Sequence, residues 1–148
     1  MELPEAIVAR LLKTWPVAIL ATLAPDGRPH QVPIVFVHHA KRFWSPVDGK
    51  PKAGSELARL RHVARDARVG LLLERYDEDW RRLWWIRVDG EAAVVGAREE
   101  PAFDDVASRL RRKYPQYAAT PLFSGEPTLI RVDPSQLRSW CAAQETLP

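Results

Sequence analysis

From Val17 onward, apolar positions recur with a period near two in runs of five to ten residues, the pattern of strands with one buried face. VAILATL (17–23) and QVPIVFV (31–37) flank the turn APDGRPH, and Asp26-Gly27 between two β-rich runs signals a hairpin. RFWSPV follows a polar turn at His38 to Lys41 as a third strand. ARVGLLLERY and LWWIRVDGEAAVV, joined by the charged loop DEDWRR, predict a second hairpin. PTLIRVDP predicts a final strand ahead of a C-terminal segment carrying Trp140. Within LWWIRVD the period assigns Trp84, Ile86 and Val88 to the core. Leu83, Trp85, Arg87 and Asp89 fall on the other face, which a lone monomer would leave partly wet. Pro33 and Pro46 inside strand-like runs point to sheet edges or bulges, where a ladder donor can be spared.

Three segments have a helical period instead. Ile7, Val8, Leu11 and Leu12 share one face of PEAIVARLLKT, so a short amphipathic helix should end at Trp15-Pro16 and act as a lid. A helix from Ser55 to about Asp66 would turn Leu57, Leu60, Val63 and Ala64 inward and Arg59, Arg61 and Arg65 elsewhere. In EEPAFDDVASRLRRKY, Phe103, Val106, Ala107 and Leu110 face inward, with Asp104 and Asp105 near the positive end of the helix. Connections this short leave little room for repeated βαβ crossovers. The expected fold is therefore mainly β with flanking helices: a six-stranded antiparallel barrel, closed or nearly so, as one domain over residues 1–148.

Composition narrows the function classes. With 22 basic and 19 acidic residues among 148, the net charge of +3 is no concentrated basic tract, and no nucleic-acid partner is expected. The single cysteine, Cys141, has no intramolecular disulfide partner and reads as a small buried residue. The start MELPEAIVARLLKTW is charged throughout, unlike a signal peptide, and no apolar run approaches the ~20 residues of a membrane span. A cytoplasmic protein without a membrane partner is expected.

Dinucleotide and nucleotide glycine loops, C-x-x-C, H-E-x-x-H and G-x-S-x-G are all absent. Asp77 to Asp79 are flanked by Arg75, Arg81 and Arg82 without a pivoting glycine, so they read as a solvated hairpin tip and no metal site is assigned. His38 and His39 point in different directions along a strand and read as surface residues. DGKPKAGS differs. Lys50 and Lys52 flank a stiffening proline ahead of a helix N-terminus, where unpaired N–H groups favour phosphate, and Ser55 could cap the helix or donate to an oxygen. Two lysines in a solvated turn is the other reading of the same residues.

ILATLAPDGRPHQVPIVF, SPVDGKPK before a helix ending RDARVGLLL, and DEDWRRLWWIRVDGEAAVV together resemble the pyridoxamine 5'-phosphate oxidase-like split β-barrel superfamily. More closely, they resemble its branch of deazaflavin (coenzyme F-420)-dependent oxidoreductases, from about Leu3 to Val132. The resemblance implies a split-barrel homodimer with two equivalent cofactor sites at the subunit interface. It implies that Lys50 and Lys52 hold cofactor phosphate, that His30, Gln31, Pro33, Ser45 and Val47 line the ring groove, and that Trp85 faces the cofactor. The arginine-rich phosphate motifs of true pyridoxamine phosphate oxidases have no clear counterpart, so oxidation of that substrate is not expected.

The implied activity is hydride transfer from reduced deazaflavin to a small unsaturated molecule. FMN in the same fold and a non-catalytic flavin or deazaflavin carrier are the alternatives. The ring would supply the chemistry and the protein position, dryness and electrostatics, so no catalytic acid or base is assigned.

Overall fold

The turn at Asp26-Gly27 forms as its residue types require: Gly27 takes φ +84 and its N–H donates to the Ala24 carbonyl at 2.9 Å. The computed structural model describes residues 1–48 and 58–148. Along them run α1 (Glu5–Thr14), β1 (Ala18–Leu23), β2 (Pro29–Ile34), β3 (Val37–His39), β4 (Arg42–Pro46), α2 (Ala58–Arg65), β5 (Arg68–Arg75), β6 (Trp84–Gly96), α3 (Phe103–Lys113) and β7 (Thr128–Cys141). Every strand pairing is antiparallel, in one seven-stranded sheet of order β2-β1-β5-β6-β7-β4-β3.

The two edges of that sheet, β2 and β3, are consecutive in the chain and separated only by Val35 and Phe36. Three Cα–Cα steps cover at most about 11 Å, so the sheet must curl until its edges nearly meet. The result is a barrel with a split along one seam. At the seam the Phe36 backbone has no strand partner and is satisfied from α3's C-terminal end. Its N–H donates to Tyr114 Oη at 3.0 Å, and its carbonyl accepts from Lys113 Nζ at 2.9 Å. The single Tyr114 hydroxyl proton is shared between the carbonyls of Phe36, 3.0 Å away, and Pro16, 2.8 Å away.

Interior-facing residues fill the barrel: Leu20, Phe36, Leu71, Leu73, Trp84, Ile86 and Val88 are all essentially inaccessible. α1 closes one end with Leu11 and Leu12. α3 packs outside the other half, burying Phe103, Val106, Ala107 and Leu110 against Val37, Trp44 and Leu129. β6 and β7 bend across both halves, with the register slipping between Asp89 and Gly90. Only glycine fits there, because a Cβ on Gly90 would lie 2.5 Å from the Asp133 carbonyl oxygen.

The expected count of six strands is corrected to seven among the described residues. QVPIVFV divides where the chain leaves one sheet edge for the other, so β3 is separate and includes His38 and His39. Both are half-buried there: the His38 ring lies 4.7 Å from that of Phe43, and His39 Nε2 lies 3.0 Å from Asp105 Oδ2. β7 runs on through Trp140, whose segment therefore belongs to the sheet. Pro33 does lie on an edge strand, whereas Pro46 ends β4, an inner strand, beyond the reach of β3. In α2 the inward stripe is Arg59, His62 and Val63, while Ala64 is exposed. That i, i+3, i+4 stripe is equally helical, and the polar groups it meets on the barrel, described below, favour it.

Tyr114→Phe keeps the ring but strips the seam of its hydroxyl, leaving the buried Phe36 N–H unpaired. Urea denaturation should show a loss of about 1 to 3 kcal/mol. An unchanged midpoint would mean that the seam does not depend on this bond.

Candidate functional site on the outer sheet face and the cluster beneath it

Strand register decides which side chains meet on the outer face of the barrel. One row across five strands reads Gln31, Ala21, Gly70, Asp89, Gln136, and the next Pro33, Ile19, Leu72, Arg87, Arg138. Small residues at the centre of the first row leave a depression of ≈ 360 Å³ lined by Ala21, Gly70, Gln31, Trp85, Arg87 and Asp89, among others. A Cβ added to Gly70 would have its nearest neighbours at 3.8 and 4.0 Å, so the floor is open above that residue. A flat apolar floor, an indole wall and a rim of amide, guanidinium and carboxylate suit a planar ring with a polar edge, and the volume is within the range of small-molecule sites.

The inner face carries a second polar group of residues. Thr22 and His30 are cross-strand partners, and α2 lays His62 over them. Thr22 Oγ1 is 2.9 Å from His62 Nδ1, and the two imidazoles meet edge to face with centroids 5.1 Å apart. His30 Nδ1 is buried and has no hydrogen-bond partner among the described residues. Arg65 fastens α2 to the first hairpin, donating to the carbonyls of Leu23 and Ala24, both at 2.8 Å. Burial, and then the charges of His30, Arg61 and Arg65, hold the His62 imidazole below its ordinary value, with Asp26 opposing. At the end of β4, Asp48 is buried and accepts from Tyr117 Oη at 2.6 Å; burial and that contact push the phenol upward.

Of the residues picked out in the sequence, the structure brings Gln31 and Trp85 to the outer depression, with Pro33 on the same face in the next row. His30 points the opposite way, to the cluster under α2. Ser45 and Val47 are both buried, Ser45 on the same face of β4 as the core residue Phe43. Lys50, Lys52 and Ser55 lie outside the described residues. Thr22, His62, Asp48, Tyr117 and Gly70 were not singled out from the sequence. Strand register and the docking of α2 bring Thr22 to His62, register sets Gly70 in the outer depression, and Asp48 meets Tyr117 in a separate contact beyond β4.

Asp77 and Asp79 are occupied by their own loop. Asp77 pairs with Arg75 at 2.9 Å and accepts from the Asp79 N–H, and Asp79 holds Arg81 at 2.8 Å. Among the described residues no group of three or more potential ligands could hold a metal, and no helix is long and apolar enough to cross a membrane.

The architecture is that of a split β-barrel with flanking helices. The chain belongs to the pyridoxamine 5'-phosphate oxidase family, which it matches over residues 3–141. Solved structures agree on the fold. The conserved hypothetical protein Rv2991 of Mycobacterium tuberculosis is 24% identical with a TM-score of 0.74, covering 99% of this chain and 89% of that one. The heme storage protein HutZ of Vibrio cholerae is 15% identical with a TM-score of 0.72, covering 95% of both chains. A FAD-binding protein of Mesorhizobium loti is 16% identical with a TM-score of 0.67, covering 94% of this chain and 93% of that one. No curated protein sequence matches the chain.

Trp84 and Trp85 are neighbours with opposite surroundings: Trp84 is 1% exposed and packs edge-on against Trp15, while Trp85 borders the outer depression. Trp84→Ala should cost about 3 to 5 kcal/mol. Trp85→Ala should leave the melting midpoint near that of the wild type. The reverse ranking in thermal melts would overturn the assignment of faces.

His62 binds a proton less readily folded than unfolded, so its contribution to stability is complete above the ordinary value of 6.5. It declines as the pH falls below that value and levels off below the lowered folded one. His62→Gln retains a polar partner for Thr22 but cannot titrate. Between about pH 7 and pH 5 the wild type should therefore lose more stability than this variant. Parallel curves would show that burial does not act on the imidazole.

Proposed function

We propose that the protein is an oxidoreductase that holds a deazaflavin, coenzyme F-420, on the outer sheet face at the contact between two copies, and reduces an unsaturated small molecule there. The observation that carries this reading is the depression over Ala21 and Gly70, with Trp85 as its wall and Gln31, Arg87 and Asp89 at its polar rim. Membership of the pyridoxamine 5'-phosphate oxidase family, and likeness in fold to a FAD-binding protein, support a flavin-type ring as the occupant.

When bound, the cofactor supplies hydride transfer. The residues of this chain supply its setting. Ala21 and Gly70 let the ring lie flat, Trp85 packs against it and excludes water, and Gln31 and Asp89 meet its polar edge. Lys50 and Lys52, at the approach to α2, supply ammonium groups for a phosphate, with Ser55 as a further donor. Apolar surface beside this face, with Leu72 37% and Tyr76 77% exposed, favours cover by a second copy. FMN is the alternative cofactor, and a carrier that binds without turnover is the alternative role.

Titration of the purified protein with F-420 and with FMN, followed by fluorescence, tests the reading. F-420 should bind more tightly. Lys50→Ala and Lys52→Ala should each weaken it by about one to two decades, and less steeply at high salt, while Lys13→Ala on the exposed side of α1 changes nothing. Gly70→Val, which fills the floor with a residue that strands favour, should weaken binding without loss of stability. Light scattering should report twice the chain mass, and single-turnover oxidation of bound reduced F-420 separates enzyme from carrier. Tighter binding of FMN replaces the cofactor; binding of neither removes the proposal.

A further inference from the structure

β6 and β7 set Arg87 directly opposite Arg138, and cross-strand partners project from the same face. Like charges in that position repel, so such a pair is unfavourable unless something neutralises it. Among the described residues neither guanidinium is ion-paired. Arg87 lies 5.3 Å from the centre of the Trp85 ring. Arg138 meets the amide oxygen of Gln136 at 3.0 and 3.2 Å, in the amide orientation that satisfies both groups. Both arginines are exposed.

The next cross-strand pair on the same face of these two strands is Trp85 and Trp140. These indoles, with Ile19, Leu72, Tyr76 and Leu83 and with Glu74 and Arg75 at the rim, line a second depression of ≈ 440 Å³. It adjoins the first, the two sharing Ile19, Leu72 and Trp85. One continuous groove thus has an aromatic trough at one end and, beside it, two facing arginines that no carboxylate pairs among the described residues, with Asp89 and Glu74 on the same face but outside ion-pair contact.

We propose that the molecule reduced at this face is a planar, conjugated carboxylate, with its apolar body against Trp85 and Trp140 and its anionic end on Arg87 and Arg138. The inference deepens the reading above and rests on it for the role of the bound molecule. Charge complementarity selects the anion, since a carboxylate accepts paired N–H bonds from guanidinium and relieves the repulsion. The indole pair selects the planar body, because stacked or edge-on π-surfaces add to simple burial. A neutral apolar molecule would fill the trough and leave both charges facing each other.

The test is equilibrium titration of the cofactor-free protein with cinnamate and with its neutral counterpart cinnamamide, read by tryptophan fluorescence. F-420 and FMN are titrated separately, and mass is measured by light scattering. Cinnamate should bind at least about tenfold more tightly than cinnamamide, one charge-assisted contact's worth. Arg87→Gln and Arg138→Gln should each erase most of that preference, and Arg10→Gln, which removes the same charge from α1, should preserve it. The preference together with failure of both cofactors to bind would support the anion pair while defeating the cofactor reading. Equal affinity for acid and amide overturns the inference. So does a preference that survives both arginine substitutions, whether those variants weaken F-420, which would assign the pair to the cofactor's own acidic groups, or halve the mass, which would assign it to the subunit contact.

Discussion

Everything in this fold hangs on a two-residue joint. β2 and β3 are opposite edges of the sheet, and Val35 and Phe36 are all that separates them, so the sheet has no choice but to curl. That joint carries backbone polar groups out of the strand ladder and into the interior, where leaving them unpaired would be costly. Tyr114 and Lys113 answer this from α3. The ammonium group of Lys113 sits 3.9 Å from the centre of the Phe36 ring as well as on its carbonyl, and burial there lowers it to about 8. The phenol of Tyr114 is pushed by burial in the other direction, to about 12, and so stays protonated as a donor. The seam therefore couples the placement of α3 to the closure of the barrel.

Closure also creates the two faces that matter for function. Because a strand alternates its side chains, β6 sends Trp84 to the interior and Trp85 to the outer groove from adjacent positions. The interior can then be almost wholly apolar, with Thr22, His30 and His62 as a polar patch where α2 docks. The outer face can carry Arg87, Asp89 and Gln31 without a burial penalty. The bend at Gly90 lets β6 and β7 serve both halves of the barrel, so the same two strands contribute to the rows of residues that define the groove and to the wall against which α3 packs.

Much of this was legible from residue order. The faces of LWWIRVD, the inward residues of α1 and α3 and the hairpin at Asp26-Gly27 each follow from neighbours within one or two turns or along one strand, and the burial of Cys141 is what a lone small thiol adopts by default. The candidate site was legible only in part. Trp85 and Gln31 reach the groove because their parity is local. His30 does not, since its parity is opposite to that of Gln31, and Ser45 shares the face of a core phenylalanine. The seventh strand was hidden because QVPIVFV is uniformly β-rich, and nothing within it marks where hydrogen bonding passes from one edge to the other.

The sequence by itself determined the class of element in each segment and the side of each strand that is apolar, since periodicity is a short-range property that every local conformation must satisfy. Only the tertiary structure decided which strands are neighbours and in what register. Pairings such as Arg87 with Arg138 join residues some fifty positions apart, and a slip of one residue would reverse every face while leaving the local pattern intact. The same holds for α2, where two stripes one step apart are both acceptable helices. The chain buries His62 because the barrel it folds against presents Thr22 and His30.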